Sequence, residues 1–319
     1  MGRKIIYYYQ TFTGLKDILF PNTPVTHIHL SAVHFGLTTD NKPYIHLNNN
    51  TPNSSIFNDL WKEIKKAQTL GIKVVLMVGG AGGAFQTLFS DFETYYNLLK
   101  NTIIKYNLDG IDLDIEEEVS LKNVKLLINK INTDFKNNDS NNDSNNESNN
   151  ESNNESNNKT SNTKLKDVEK TLIEKDKQFI ISMAPIQNSL QTDTPGMGGF
   201  VYKDLLNCKE GEFIDYFNGQ FYSDYSIDSY NSVIQNNYNP EKIIMGMIFS
   251  QDIDKNIEVI KKLSQKYGTQ FGGVFLWEYC NAKMDKFENN KDWAVVMEST
   301  MEGLNFAEFI NMVNTCTIC

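Results

Sequence analysis

Asp109-Gly110-Ile111-Asp112-Leu113-Asp114-Ile115-Glu116 sets acids and aliphatics in strict alternation at the end of an apolar segment. Successive side chains on a strand point to opposite faces, so Asp112, Asp114 and Glu116 share one face and Ile111, Leu113 and Ile115 the other. The apolar face is continuous and carries no turn signal, which is how a strand buried on both sides reads. Carboxylates turned into an enclosed space need partners or a chemical role. At a rise of ~3.3 Å per residue, Asp114 and Glu116 stand roughly 6–7 Å apart, with Asp112 one step deeper. Acids this close drive one another's pKa values apart and leave one group able to hold a proton near neutral pH, as a general acid must. A plainer account, an acidic turn favouring the N-terminus of the next helix (Leu121 to Phe135), covers Glu117 and Glu118. It leaves Asp112 and Asp114 unexplained, because they lie upstream within the strand.

Outward from this strand the chain alternates strand and helix. Ile5-Ile6-Tyr7-Tyr8-Tyr9 is a first strand, and Thr26 to Phe35 a second, entered after Pro24 and left at Gly36. Ile56, Leu60, Ile64 and Ala67 recur at helical spacing, and Gly71 closes that helix. A third strand, Lys73 to Val78, ends in Gly79-Gly80. Phe92, Tyr96, Leu99, Ile103 and Tyr106 then form an amphipathic helix that delivers the chain to the acidic strand. Beyond Phe135 the periodicity stops: residues 137–158 repeat Asn-Asn-Asp-Ser or Asn-Asn-Glu-Ser, and the low-complexity stretch runs to 163. So little apolar surface cannot offset the entropy of ordering, which predicts a disordered insert. Its Asn-x-Ser sequons (Asn138, Asn142, Asn146, Asn150, Asn154) read as incidental to the repeat.

The alternation resumes with a helix over Lys164 to Lys177. Strands follow at Phe179 to Pro185, Ile214 to Tyr222, Lys242 to Phe249 and Gly273 to Tyr279, with a helix at Ile257 to Tyr267. Eight strands alternating with helices over about 250 residues predict an α/β fold, one (β/α)8 TIM barrel rather than a doubly wound sheet. In such a barrel functional groups gather at the C-terminal ends of the strands. Those ends carry Gly79-Gly80, Glu116, Ala184-Pro185, Gln220, Tyr222 and Trp277. The insert, joining the fourth helix to the fifth strand, belongs on the opposite rim and is expected to be dispensable for chemistry.

Composition narrows the function classes. The 319 residues suffice for one barrel or for two ordinary domains; the strand count favours the single barrel, with a tail at 305–319. A net charge of -10 argues against a nucleic-acid surface. The N-terminus runs straight into a β-like stretch without a signal core, and no run is long enough to span a bilayer, so a soluble monomer is expected, cytoplasmic or otherwise not exported by a classical signal peptide. Cys208, Cys280, Cys316 and Cys319 are too few and scattered for a disulfide scaffold. The terminal Cys-Thr-Ile-Cys has the outline of a prenylation box but lacks a usual last residue and a preceding polybasic stretch. His27-x-His29 would put two imidazoles on one strand face, as some metal sites do, yet His34 and His46 are the only other histidines and no later strand completes a shell. Structural histidines are the preferred account, and neither metal nor cofactor is expected.

Taken together, Asp109 to Glu116 resembles the Asp-x-x-Asp-x-Asp-x-Glu signature of family 18 glycoside hydrolases, which include chitinases, endo-β-N-acetylglucosaminidases and chitinase-like lectins. Gly79-Gly80, Met183-Ala184-Pro185, Gln220-Phe221-Tyr222 and Trp277 support the resemblance, which spans the chain apart from insert and tail. It implies that Glu116 protonates the glycosidic oxygen and then acts as base, while the substrate's own N-acetyl carbonyl is the nucleophile. It also implies that Asp114 orients the acetamido N–H, that Asp112 shares a proton with Asp114, and that Tyr222 hydrogen-bonds the acetamido oxygen. Trp277 would floor the scissile sugar; Gln220, Tyr8, Gly79, Gly80 and Met183 complete the expected substrate site. The chemistry wants these types in any case: a neutral acetamide is a weak nucleophile whose geometry must be fixed, and an aromatic face matches the C–H face of a pyranose.

Two positions depart from the family pattern. Its usual Ser two residues before the glycine pair is Met77 here, which leaves the charge balance of Asp112 in question unless Tyr8 compensates. The position after the strand-six Tyr, often Asp or Asn, is Ser223. The implied partner is an N-acetylglucosamine-containing oligo- or polysaccharide, with a chitinase ahead of an endo-β-N-acetylglucosaminidase. A non-catalytic lectin ranks lower because Glu116 is retained.

Overall fold

A computed structural model describes residues 2–136, 178–284 and 287–304. The low-complexity insert, the helix expected over Lys164 to Lys177, the sequons and the two terminal cysteines lie outside the described residues. The strands are β1 (Lys4–Tyr9), β2 (His27–Leu37), β3 (Pro43–Leu47), β4 (Lys73–Gly79), β5 (Gly110–Asp114), β6 (Ile180–Met183), β7 (Tyr216–Gln220), β8 (Ile243–Ile248) and β9 (Gly273–Trp277). All except β3 pair in parallel with their neighbours, and β1 bonds to both β2 and β9, which closes an eight-stranded barrel. Helices α1 (Asn58–Thr69), α2 (Ala84–Ser90), α3 (Phe92–Lys105), α4 (Leu121–Ile131), α5 (Gln187–Gln191), α6 (Tyr202–Leu206), α7 (Lys209–Glu212), α8 (Ile227–Gln235), α9 (Ile253–Tyr267) and α10 (Asn290–Glu302) lie between and after the strands. The fold is the expected TIM barrel.

The strands separate two apolar layers. Ile111, Leu113 and Ile115 join the large outer core beneath the helices, while Ile6, Tyr8, Val75, Met77, Ile180, Tyr216, Ile244 and Phe275 fill the barrel itself. Each buried aliphatic contributes about 1.5–3 kcal/mol by leaving water. A slip of one residue in β5 would forfeit that gain and drive Asp112 and Asp114 into the outer apolar layer, so the register is strongly specified. Gly246 marks how tightly the interior is filled. A Cβ there would stand 1.9 Å from the Phe275 ring, so only glycine leaves the ring its place.

Some elements differ from expectation. The acidic strand ends at Asp114, and Glu116 stands two residues beyond it, in the loop toward α4. Ile56 belongs to a 3-10 turn ahead of α1 and is exposed rather than on the helix's buried face. Strand β3 was not expected: it folds back antiparallel on β2, with Val33 opposite Leu47 and Leu37 opposite Pro43. Thr38-Thr39-Asp40-Asn41-Lys42 reads simply as polar loop, but Asn41 at φ 57° makes the tight turn that a hairpin needs.

Candidate active site

The inward face of β5 carries the acids. Asp112 is fully buried and is met by four donors from four other strands. Tyr8 donates from its hydroxyl to Oδ2 at 2.7 Å, Ser182 to Oδ1 at 2.6 Å and Asn218 Nδ2 to Oδ1 at 3.2 Å; His29 Nδ1 lies 3.2 Å from Oδ2. Burial alone would raise the Asp112 carboxyl. The neighbouring His29 and the hydrogen bonds from His29, Ser182 and Tyr8 outweigh it and hold the group below the usual carboxylate range.

Asp114, one step nearer the mouth, is treated in the opposite way. It is 5% exposed, and the hydrogen bond to its carboxylate among the described residues is from Gln220 Nε2, 3.2 Å from Oδ1. Burial, then the charges of Glu116 and Asp112, push it well above the ordinary value. The surroundings therefore favour the charged form of Asp112 and the protonated form of Asp114 above it. Glu116 is half-buried at the mouth. Tyr222, close enough for its hydroxyl to feel all three acids, is pushed well above its usual range by burial and then by Asp114, Glu116 and Asp112, and so remains a neutral donor.

The strand ends shape the floor. Trp277 lies half-buried over the barrel interior with its ring centroid 5.3 Å from that of Tyr8. Its peptide bond to Glu278 is cis, as is Ser31–Ala32. Gly79 has φ 104°, and a Cβ there would meet the Asp114 carbonyl oxygen at 2.1 Å; Gly80 N donates to that same oxygen at 2.8 Å. A Cβ on Gly80 would in turn stand 3.6 Å from Asp114 Oδ2. The glycine pair lets β4 turn away while lying directly against the acid. Over the ends of β1 and β2, a cavity of about 670 Å³ is lined by Gln10, Thr11, His34, His46, Asn48 and Gly82 among others.

The chain has no match among family models and none among curated proteins. Solved structures do match. A fungal endo-β-N-acetylglucosaminidase from glycosyl hydrolase family 18 is similar at 23% identity over 93% of this chain and 97% of that one, with a TM-score of 0.70. A chitinase from Aspergillus fumigatus is similar at 25% identity over 94% and 99%, again with a TM-score of 0.70. A family 18 chitinase from Pseudoalteromonas aurantia reaches 20% identity over 93% and 99%, with a TM-score of 0.60. The chain has the fold of the family 18 glycoside hydrolases.

Within this barrel, Asp112, Asp114, Glu116, Gln220, Tyr222, Trp277, Tyr8 and the Gly79-Gly80 turn converge at one end. Met183 does not. It is fully buried in the outer layer, because Ser182 takes the inward position on β6 and the strand's alternation turns Met183 toward the helices. Glu117 is also reassigned: its carboxylate accepts from Phe85 N in the first turn of α2, while α4 is capped by Ser120 instead. His27 and His29 do share the inward face of β2, each ring beside that of Tyr216. His29 is engaged by Asp112 and by the Tyr216 hydroxyl, and among the described residues no three His, Cys, Asp or Glu side chains converge on a metal position.

Sequence reasoning missed Ser182, Asn218 and Glu278. The first two face Asp112 by register, a signal that becomes readable once β6 and β7 are aligned to β5. Glu278 accepts from Gln10 N and Thr11 N, each at 2.8 Å, and from the Thr11 hydroxyl at 2.6 Å, tying β1's exit to β9's. Its only sequence signal is that it follows Trp277.

Proposed function

We propose that the chain is a glycosidase that cleaves β-1,4-linked N-acetylglucosamine polymers or oligomers, chitinase-like, by substrate-assisted retaining catalysis. The observation that carries this reading is the opposite setting of two adjacent acids beneath a half-buried Glu116: Asp112 is met by Tyr8, His29, Ser182 and Asn218, which favour its charged form, while Asp114 is met by Gln220 and is driven toward its protonated form by burial. A pair of nucleophilic and acidic carboxylates would not need a third, buried anion. A site that uses the substrate's acetamide does need groups to fix it.

In this reading Glu116 gives its proton to the glycosidic oxygen as the acetamido carbonyl oxygen bonds to the anomeric carbon, so that an oxazolinium ion forms and the leaving sugar departs. The carbonyl oxygen of protonated Asp114 accepts from the acetamido N–H, and its hydroxyl donates to Glu116 once that group is ionised. Tyr222 donates to the acetamido oxygen and sets its line of attack. Glu116 then takes a proton from water, which opens the oxazolinium with net retention. Trp277 supplies an apolar face for the sugar, and the cavity over β1 and β2 gives room for the chain beyond it, Gly82 in its wall being two residues past Gly80.

An endo-β-N-acetylglucosaminidase acting on the chitobiose core of N-glycans is the second reading, favoured by the equal TM-score of the fungal neighbour of that activity. The test is turnover of a 4-methylumbelliferyl chitooligosaccharide beside an N-glycopeptide, with wild type and Glu116→Gln in parallel. Cleavage of the first substrate supports the chitinase, and cleavage of the second alone supports the glycan-trimming alternative. Glu116→Gln is expected to lose hydrolysis while keeping sugar binding and Tm. If wild type binds chitooligosaccharide and cuts neither substrate, the protein is a lectin.

A further inference from the structure

Asp112 sits between Met77 on β4 and Ser182 on β6, its register partners on either side. Ser182 gives it a hydroxyl hydrogen at 2.6 Å; a thioether has none to give. A further donor comes from across the barrel. His29, fully buried and in register with Tyr8 of β1, brings Nδ1 to 3.2 Å from Asp112 Oδ2, and the Tyr216 hydroxyl lies 3.1 Å from its Nε2. Because Asp112 as a carboxylate can only accept, the hydrogen belongs on Nδ1, and Nε2 then accepts from Tyr216. Asn218 Nδ2 is also 3.4 Å from Nδ1, but both atoms then carry hydrogens, and those of Asn218 go to Tyr8 and Asp112.

We propose that His29 is a positioning residue of the hydrolytic site, donating from Nδ1 to Asp112 where Met77 gives no hydrogen, and so keeping the pair's proton on Asp114, facing Glu116. This role rests on the reading of Glu116 as acid and base. The groups facing the imidazole are Tyr8 from β1, Asp112 from β5, Tyr216 and Asn218 from β7 and, on its own strand, His27. Lys4 reaches the Tyr216 ring at 5.0 Å. Burial, followed by Asp112, raises both the Tyr8 and the Tyr216 hydroxyl, so both stay neutral and Asp112 is the anion in contact with His29.

The test compares wild type, His29→Leu and His29→Leu/Met77→Ser, reading kcat and KM on the chitooligosaccharide across pH, and carboxyl titrations of Asp112 and Asp114 by carbon NMR in the substrate-free protein. His29→Leu is expected to lower kcat roughly 10–100-fold with KM little changed, since only the placing of a proton is disturbed. Its Asp114 titration should move down toward the ordinary carboxylate range as Asp112 competes for the proton, and Met77→Ser, which restores a hydroxyl beside Asp112, should recover most of both. An unchanged Asp114 titration in folded His29→Leu overturns the proposal. So does loss of activity through KM and Tm alone, which marks a packing residue. Nitrogen NMR of the wild-type imidazole gives an answer even where the variant does not fold: an Nδ1–H tautomer supports the proposal, and an Nε2–H tautomer overturns it. Should wild type hydrolyse neither substrate, the glycosidase reading fails, while the titrations still decide whether His29 governs the proton on Asp114.

Discussion

Asp112 and Asp114 stand one strand step apart on the same face, and what separates them is the number of hydrogens aimed at each. Asp112 collects them from Tyr8, His29, Ser182 and Asn218, whereas Asp114 receives Gln220 alone among the described residues. The consequence for stability has opposite signs. Asp114 holds its proton in the native state above the pH, about 4, at which an unfolded aspartate releases it. The unfolded chain then binds fewer protons, so stability falls as pH rises through that window. Asp114→Asn cannot ionise and escapes the loss; its Tm relative to wild type should therefore climb as pH rises above about 4. A Tm difference that stays flat would mean Asp114 is ionised in the native protein. Asp112, held below the usual range, contributes stability above about pH 4 that is lost as pH falls through its native pKa, so Asp112→Asn should be most costly near neutrality. At this scale the identity of the acids was legible from alternation alone. The donors that distinguish them were not, because they lie 70 to 106 residues away along the chain for Ser182, Tyr8 and Asn218.

The Gly79-Gly80 turn ties β4 to β5 at the level of the acid. Gly79→Ala places a Cβ against the Asp114 carbonyl at 2.1 Å in a backbone region side chains avoid, where the φ of 104° alone costs about 1–3 kcal/mol. Gly71 offers a control: its φ is 85°, but nothing lies within 4 Å of a Cβ. Gly71→Ala should destabilise by about 1 kcal/mol through the helix end with turnover unchanged. Gly79→Ala should cost more in urea unfolding and also depress kcat, because Asp114 must shift; equal effects on the two readouts for both variants would show that the turn serves the backbone only. The same loop region explains why Glu117 was misassigned. Its distance in sequence favours α4, but the parallel neighbour β4 feeds α2, whose first turn lies beside the end of β5.

At the scale of the molecule, residues 137–177 join the end of the α4 segment, Lys136, to the entrance of β6. Both anchors lie on the rim opposite the acids: Lys136 Nζ donates to Asp215 ahead of β7, and Gln178 precedes Phe179 just ahead of β6. Deleting Asn137 to Asn158 should leave kcat within a fewfold of wild type on whichever substrate is cut. A large loss would place part of that segment at the active end. The alternation of acid and aliphatic, the strand count and the glycine and aromatic residues at strand ends were all determined by the sequence itself, since a period of two assigns faces without reference to any other strand. What only the tertiary structure decided was which side chains meet across the barrel. The register between distant strands turned Ser182 inward and Met183 outward, brought His29 rather than a residue at 77 to Asp112, and laid Glu278 against Gln10 and Thr11. Those pairings are non-local: closure of the sheet between β1 and β9 sets them, and no local pattern in the chain encodes where the two edges join.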